Sequence, residues 1–200
     1  MRAIGQWYCH ARTSLEMLIR AAGWQPVAFA AAQEFLDCPR SAAPCCLILD
    51  IDLPGLNGLE LQARMASERR EVPVIFLADG SDAATAVRAM KAGAFEFFAK
   101  PVREDLLQNA IRDALERSRR TLVHETEKRA LRDSYTQLSR RERQVMALVA
   151  SGLANKQVGG ELGVSEITVK AHRGQVMQKM QANSFAHLIR MAWKLGVAAA

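Results

Sequence analysis

Two hundred residues suit one large domain or two small ones, and with half of them hydrophobic a genuine core can form. No stretch approaches the roughly 20 apolar residues of a membrane helix, and the start, MRAIGQWYCHARTS, has no apolar segment of signal-peptide type, so a cytoplasmic protein with no membrane partner is expected. The formal net charge of +6 is unevenly placed: residues 139–200 carry 9 Lys+Arg against 3 Asp+Glu, whereas residues 1–112 carry 12 against 13.

The basic excess fits either a solvated surface or the electrostatic footprint of a nucleic-acid binder. The four cysteines, Cys9, Cys38, Cys45 and Cys46, form no C-x-x-C pair and stand at no zinc-ligand spacing from a histidine. They are expected to be reduced, structural thiols.

In chain order, candidate strands at 3–8, 26–30, 46–50, 74–78 and 94–99 alternate with candidate helices at 12–22, 31–37, 58–68 and 82–92 and from 103 onward. Leu15, Leu18, Ile19 and Ala22 give the i, i+3, i+4, i+7 stripe of an amphipathic helix. Strand-helix units of this size predict a parallel sheet covered on both faces. The apolar run CCLILD ends on Asp50, and a Pro54-Gly55-Leu56-Asn57-Gly58 turn follows that lacks the spacing of a phosphate-cradling loop.

Leu106, Ala110, Ile111, Ala114 and Leu115 give the helix from 103 its inward stripe. Residues 117–137 are charged and free of Gly and Pro, and Ser118 and Glu125 interrupt any heptad seam, so an exposed helical linker is expected. Ser139-Arg140-Arg141-Glu142 is a capping box opening the next helix, and Gly152 stops it. A second helix runs over 155–162 with Gly163 as its stop, Ser165 caps a third that continues to about 180, and a fourth spans 184–195. Two short helices about a Gly-containing turn make a helix-turn-helix candidate over about 155–174.

On the third of these helices Val169, Val176 and Met180 point one way, and Lys170, Ala171, Gly174, Gln175 and Gln178 the other. One cation, amides and two tiny residues suit close approach to base edges: Lys for guanine acceptors, Gln for adenine, Ala for a thymine methyl. Lys156, Thr168 and Arg173 are placed to bind phosphates. A plain helical bundle is the other reading of the same residues.

LSRRERQVMALVASGLANKQVGGELGVSEITVKAHRGQVMQKM resembles the LuxR-type helix-turn-helix of the FixJ/NarL response regulators, with matches at Glu142, Arg143, Val145, Gly152, Asn155, Lys156, Leu162, Ser165, Thr168, Val169, Lys170 and His172. The resemblance implies double-stranded DNA as partner, base-edge roles for Lys170 and Ala171, and a homodimer formed through the last helix. Gly174 departs from members carrying a longer side chain. Val158-Gly159-Gly160 replaces the usual Ile-Ala start, and interior glycines at about 1 kcal/mol each predict a softer helix. Phe185, Leu188 and Ile189, with Met191 and Trp193 off their stripe, are the candidate dimer residues. His172 is read as a packing residue.

LILDIDLPGLNGLEL and AVRAMKAGAFEFFAKP resemble the receiver domain of the same regulators, so the likeness spans the chain. It implies an α/β flavodoxin-like domain with a five-stranded parallel sheet in the order 2-1-3-4-5 over 1–116, the linker over 117–137 and an all-α four-helix DNA-binding domain over 138–200. Asp50 matches the phosphate-accepting aspartate, Lys100 the lysine that pairs with the phosphoryl group, and Phe97 the aromatic switch position. The family's Mg²⁺-binding acidic pair falls on Gln6 and Trp7, with Tyr8 next, and its hydroxyl position on Ala78. Magnesium wants oxygen ligands in near-octahedral array, so weak or absent Mg²⁺ binding is expected and no other cofactor, with Asp52 and Asp79 placed to substitute only in part.

The expectation is a non-enzymatic, sequence-specific transcriptional regulator acting without Mg-dependent aspartyl phosphorylation. The alternatives are a conventional regulator phosphorylated at Asp50, or a decoy receiver that binds a sensor kinase. A sensor kinase or another protein at the receiver is the further expected partner.

Overall fold

The structure is a computed structural model that describes residues 2–6, 11–29, 31–51, 58–69, 72–80 and 83–197. The chain divides into two compact units, 1–124 and 125–200. Among the described residues no helix is long and apolar enough to cross a membrane.

The first unit alternates strands β1 (Arg2–Gln6), β2 (Gln25–Phe29), β3 (Cys45–Asp50), β4 (Val74–Asp79) and β5 (Glu96–Lys100) with helices α1 (Ala11–Ala21), α2 (Ala32–Asp37), α3 (Gly58–Glu68), α4 (Ala83–Lys91) and the start of α5 (Glu104–Thr136). The described strands form one parallel sheet in the order β2-β1-β3-β4-β5. Parallel strands need covered crossovers, and the two faces are read off the alternation along each strand. Cys45, Leu47 and Leu49 of β3, with Val74, Phe76 and Ala78 of β4, pack on Phe35, Leu61, Met65 and Ala89 from α2, α3 and α4. Cys46, Ile48, Ile75 and Leu77 pack on Leu15 and Ile19 of α1 and on Leu107, Ile111, Ala114 and Leu115 of α5.

Every residue of β3 is buried, as expected of a central strand covered on both faces. Its thiols share that environment: burial first, and the neighbouring Cys45 second, push Cys46 up to about 12. Cys38, Cys45 and Cys46 are in no disulfide; Cys9 lies outside the described residues.

The expected linker start at 117 needs correction. Ser118 is fully buried and its Oγ accepts from the Cys45 N–H at 3.2 Å, which satisfies the first N–H of β3. The Arg117 guanidinium lies 5.7 Å from the Phe95 ring centre. The first unit therefore claims α5 well past residue 116.

The second unit holds helices α6 (Arg140–Ala150), α7 (Asn155–Leu162), α8 (Glu166–Lys179) and α9 (Phe185–Leu195). Ser139 and Glu142 form the reciprocal capping box, and Gly163 ends α7 at φ 65°, a left-handed turn that needs no Cβ. Val145, Val149, Val158 and Val169 make one small core, and Leu138, Met146, Val176, Met180, Leu188 and Ala192 a second. Full burial of the Val, Leu and Met side chains among them contributes about 1.5–3 kcal/mol each.

Gly159 corrects the expectation of a merely softened α7. A Cβ there would lie 2.7 Å from the Val164 carbonyl oxygen, so the turn between α7 and α8 closes directly onto this glycine. Gly160, by contrast, has open space where its side chain would be.

Candidate functional site

The first candidate site lies at the carboxyl end of the sheet, where doubly wound folds place their ligands. The β3–β4 register sets Asp50 level with Leu77, and the β4–β5 register sets Ala78 beside Ala99 and Asp79 beside Lys100. Asp50 and Lys100 are thus the ends of strands separated by β4. The lysine reaches across: its Nζ donates to Asp50 Oδ2 at 2.5 Å and to Asp79 Oδ2 at 3.2 Å.

The Asp50 side chain is 9% exposed, that of Lys100 22% and that of Asp79 75%. One half-buried ammonium therefore serves a buried carboxylate and a solvated one. Burial by itself would lower the Lys100 pKa; the hydrogen bond and charge of Asp50, then those of Asp79, outweigh it and hold the pKa above its ordinary value. Ala78 is buried and carries no polar atom on its side chain. Phe97 is half-buried and packs on the cluster that includes Phe76 and Leu49. The Lys100–Pro101 peptide bond is cis.

Gln6 ends β1 level with Leu49, the residue before Asp50, and the backbone of β1 is all that is described of it. Trp7, Tyr8 and Asp52 lie outside the described residues, as do residues 54–57 of the turn. Among the described residues no group of three or more His, Cys, Asp or Glu could hold a metal ion.

The second candidate site is the outer face of α8. Ser165 Oγ accepts from the Thr168 N–H at 3.1 Å and starts the helix. Val169 and Val176 are buried beneath, so that Lys170, Ala171, Gly174, Gln175 and Gln178 are exposed, and His172 is half-buried. Lys170 Nζ lies 3.4 Å from Glu166 Oε1, one turn earlier. Lys156, at the start of α7, is exposed, and Thr168 is half-buried with its hydroxyl 2.8 Å from that of Ser165.

Arg173, expected to bind phosphate, is half-buried and engaged within the domain. Its Nη1 donates to Asn155 Oδ1 at 2.6 Å, and its guanidinium lies 4.5 Å from the Phe185 ring centre. It ties α8 to the first residues of α7 and α9 within the domain.

On α9 one expected dimer residue, Leu188, also needs correction. Leu188 is 1% exposed within the domain's own core, and Met191 packs against that core. The outward line is Phe185, Ile189 and Trp193, at i, i+4 and i+8, with Phe185 38% and Trp193 61% exposed and Ile189 half-buried.

Glu142 and Lys179, the latter not singled out in the sequence, form a further anchor. Lys179 Nζ donates to both carboxylate oxygens of the buried Glu142. Their separation of 37 residues left no local signal. Ile167 was also missed, although helical periodicity places it in line with Ala171 and Gly174.

A family model described as "Response regulator receiver domain" matches residues 9–112, and one described as "Bacterial regulatory proteins, luxR family" matches residues 136–192. Nodulation protein W of Bradyrhizobium diazoefficiens is 45% identical over 188 residues, 94% of this chain and 83% of that protein. Transcriptional regulatory protein FixJ of the same organism is 36% identical, over 93% of this chain and 91% of that one. The low-resolution structure of the response regulator StyR superposes with a TM-score of 0.81 at 37% identity, over 96% of this chain and 98% of the other. A flavodoxin-like unit followed by a helical unit with an outward-facing third helix has full-length counterparts of the same build. The chain belongs to the FixJ-like response regulators, transcriptional regulators in which a receiver domain precedes a LuxR-type DNA-binding domain.

Proposed function

We propose that this regulator binds DNA sequence-specifically through α8 as a homodimer, and that its receiver domain acts without Mg-dependent phosphorylation of Asp50. The observation that carries the second half is the set of polar groups around Asp50. The carboxylates described at the sheet's carboxyl end are those of Asp50 and Asp79, and one ammonium engages both. Gln6 and Trp7 stand at the positions where the family's metal-binding carboxylates fall, and Ala78 at that of its hydroxyl. Phosphoryl transfer onto a carboxylate brings two anions together and depends on positioning and charge neutralisation. The described donors do not fit the oxygen shell of a magnesium ion. Asp50 and Lys100 then serve as a structural pair, and the receiver is regulated by a sensor kinase or another protein bound to it, or by dimerisation.

In this reading the receiver includes α5 through Ser118, the linker follows to residue 137, and residues 138–200 are the DNA-binding domain. Lys170, Ala171, Gly174 and Gln175 face base edges, and Lys156 and Thr168 face phosphates. Phe185, Ile189 and Trp193 supply the dimer surface, pairing half-sites about one helical turn apart.

The test is to incubate the full-length protein with acetyl phosphate and Mg²⁺ and follow Asp50 by intact-mass analysis. No phosphoryl adduct is expected, and Asp50→Asn should bind the preferred DNA as the unmodified protein does. Mg-dependent labelling of Asp50 that raises DNA affinity overturns the proposal and establishes the conventional regulator. That second reading draws on the retained Asp50–Lys100 pair.

A further inference from the structure

Ile167 is 80% exposed, more than any other large apolar side chain noted on the described surface. It stands in the first turn of α8, between Glu166 and Thr168, where the Ser165 cap already completes the helix start. Nothing in the packing of the domain accounts for a branched hydrocarbon there.

Its position on the helix does. At 3.6 residues per turn, Ile167, Ala171, Gly174 and Gln178 fall on one line, and all four are exposed. Lys170 and Gln175 flank that line. Ala171 is short, and the space a Cβ would take at Gly174 is open. The middle of the face is therefore low, and Ile167 stands up at its amino-terminal end. Recognition helices meet base edges with their amino-terminal residues.

We propose that Ile167 is a base-reading residue whose side chain packs on the C5-methyl group of a thymine in the major groove. The proposal rests on the assignment of α8 as the DNA-reading helix. The thymine methyl is the apolar feature of the major-groove edge, whereas guanine, cytosine and adenine offer hydrogen-bonding atoms that an isoleucine would leave unpaired. The excess of 9 Lys+Arg over 3 Asp+Glu in residues 139–200 favours a polyanion over an apolar protein partner. Ile167 is also stiff at χ1, so it enters the groove with little rotamer freedom to lose. Lys170, in contrast, has to leave Glu166 before it reaches a base.

The experiment begins with selection of a preferred duplex from random DNA by the full-length protein. Each thymine of that duplex is then replaced singly by deoxyuridine, which pairs identically and lacks the methyl. At one thymine in each half-site the replacement should weaken binding about fourfold, the value of one buried methyl group. Ile167→Ser should bring that ratio to one, leave the ratios at other thymines unchanged, and preserve the salt dependence, because no charge is altered. The melting temperature of the variant, read by circular dichroism, should match that of the parent, since the side chain is solvated. Ile167→Ser with the parent's thymine-to-uracil ratio at every position overturns the proposal while leaving α8 as the reading helix. If no sequence is enriched in the selection, the assignment of α8 fails and this proposal falls with it.

Discussion

Lys179 Nζ lies 2.9 Å from Glu142 Oε1 and 2.7 Å from Oε2, while Glu142 Oε2 also accepts the Ser139 N–H at 2.7 Å. One buried carboxylate thereby closes the start of α6 and holds the last turn of α8, the far end of the proposed reading helix. The Lys179 hydrogen bond is the largest influence on the Glu142 carboxyl; it outweighs burial and, with the Ser139 groups, lowers the pKa below the ordinary carboxylate value. A depressed folded pKa means that the stabilisation is present above that ordinary value and is lost as pH falls through the depressed one.

The first prediction concerns this pair. Glu142→Gln keeps a capping acceptor at N3 and should cost about 1 kcal/mol; Glu142→Ala should cost about 1 kcal/mol more through the lost cap. Urea denaturation of Glu142→Gln, Lys179→Met and the double variant at pH 7 should give a coupling of about 0.5–3 kcal/mol. At a pH below the depressed value that coupling should vanish.

The Asp50–Lys100–Asp79 arrangement carries the second. Lys100→Met strips the buried Asp50 carboxylate of its ammonium, and because the lysine is partly solvated the cost should be about 1–3 kcal/mol rather than the full value of a buried pair. Adding Asp50→Asn should recover part of that loss. The Lys100 pKa is raised above 10.5 in the folded state. Its stabilisation is therefore complete below 10.5 and is lost as pH rises through the folded value. Denaturation of the parent and of Lys100→Met should show a constant difference between pH 7 and 9 that narrows only in strong alkali.

Local chemistry was legible in the sequence, and long-range partnership was not. Ser139 with Glu142, Gly163 and Ser165 mark helix ends within four residues, and each does so in the structure. The apolar run ending at Asp50 is β3 with every position buried, and the two matched residues Asp50 and Lys100 meet at its carboxyl end. Ser118 looked like linker because a lone serine amid charges carries no sign that its hydroxyl takes an N–H from Cys45, 73 residues away. Leu188 looked available for a partner because an apolar stripe on a helix does not say which of its members the domain's own core consumes. Asn155 and Phe185 gave no hint that both would meet Arg173.

Arg173 supplies the third prediction. Its hydrogen bond to Asn155 is charge-assisted and its guanidinium stacks on Phe185, contributions of about 1.5–3 and 0.5–1 kcal/mol respectively. Lysine has neither the planar fork nor the stacking face. Arg173→Lys should therefore lower the stability of the full-length protein by about 1–2 kcal/mol, allowing for partial replacement by water and the ammonium. Arg173→Ala should lower stability further and leave the slope of DNA affinity against salt as it was. A side chain whose main partner is phosphate would behave in the opposite way, leaving stability intact and reducing the salt slope by about one when replaced by alanine.

The paired glycines of α7 give the fourth, and they should respond in opposite directions. Gly160 lies on an exposed helical surface with open space at the Cβ position, so Gly160→Ala should stabilise by about 0.5–1 kcal/mol through helix propensity. Gly159→Ala has the same propensity gain, but its methyl would meet the Val164 carbonyl oxygen at 2.7 Å. That oxygen belongs to the backbone of the turn between α7 and α8 and cannot rotate away like a side-chain tip. Moving it shifts the Ser165 cap and with it the start of α8, and overpacking of this kind costs about 1–3 kcal/mol. Thermal denaturation should place Gly160→Ala above the parent and Gly159→Ala below it. DNA affinity should fall in Gly159→Ala alone, because only that substitution disturbs the end of the helix that carries Ile167 and Lys170.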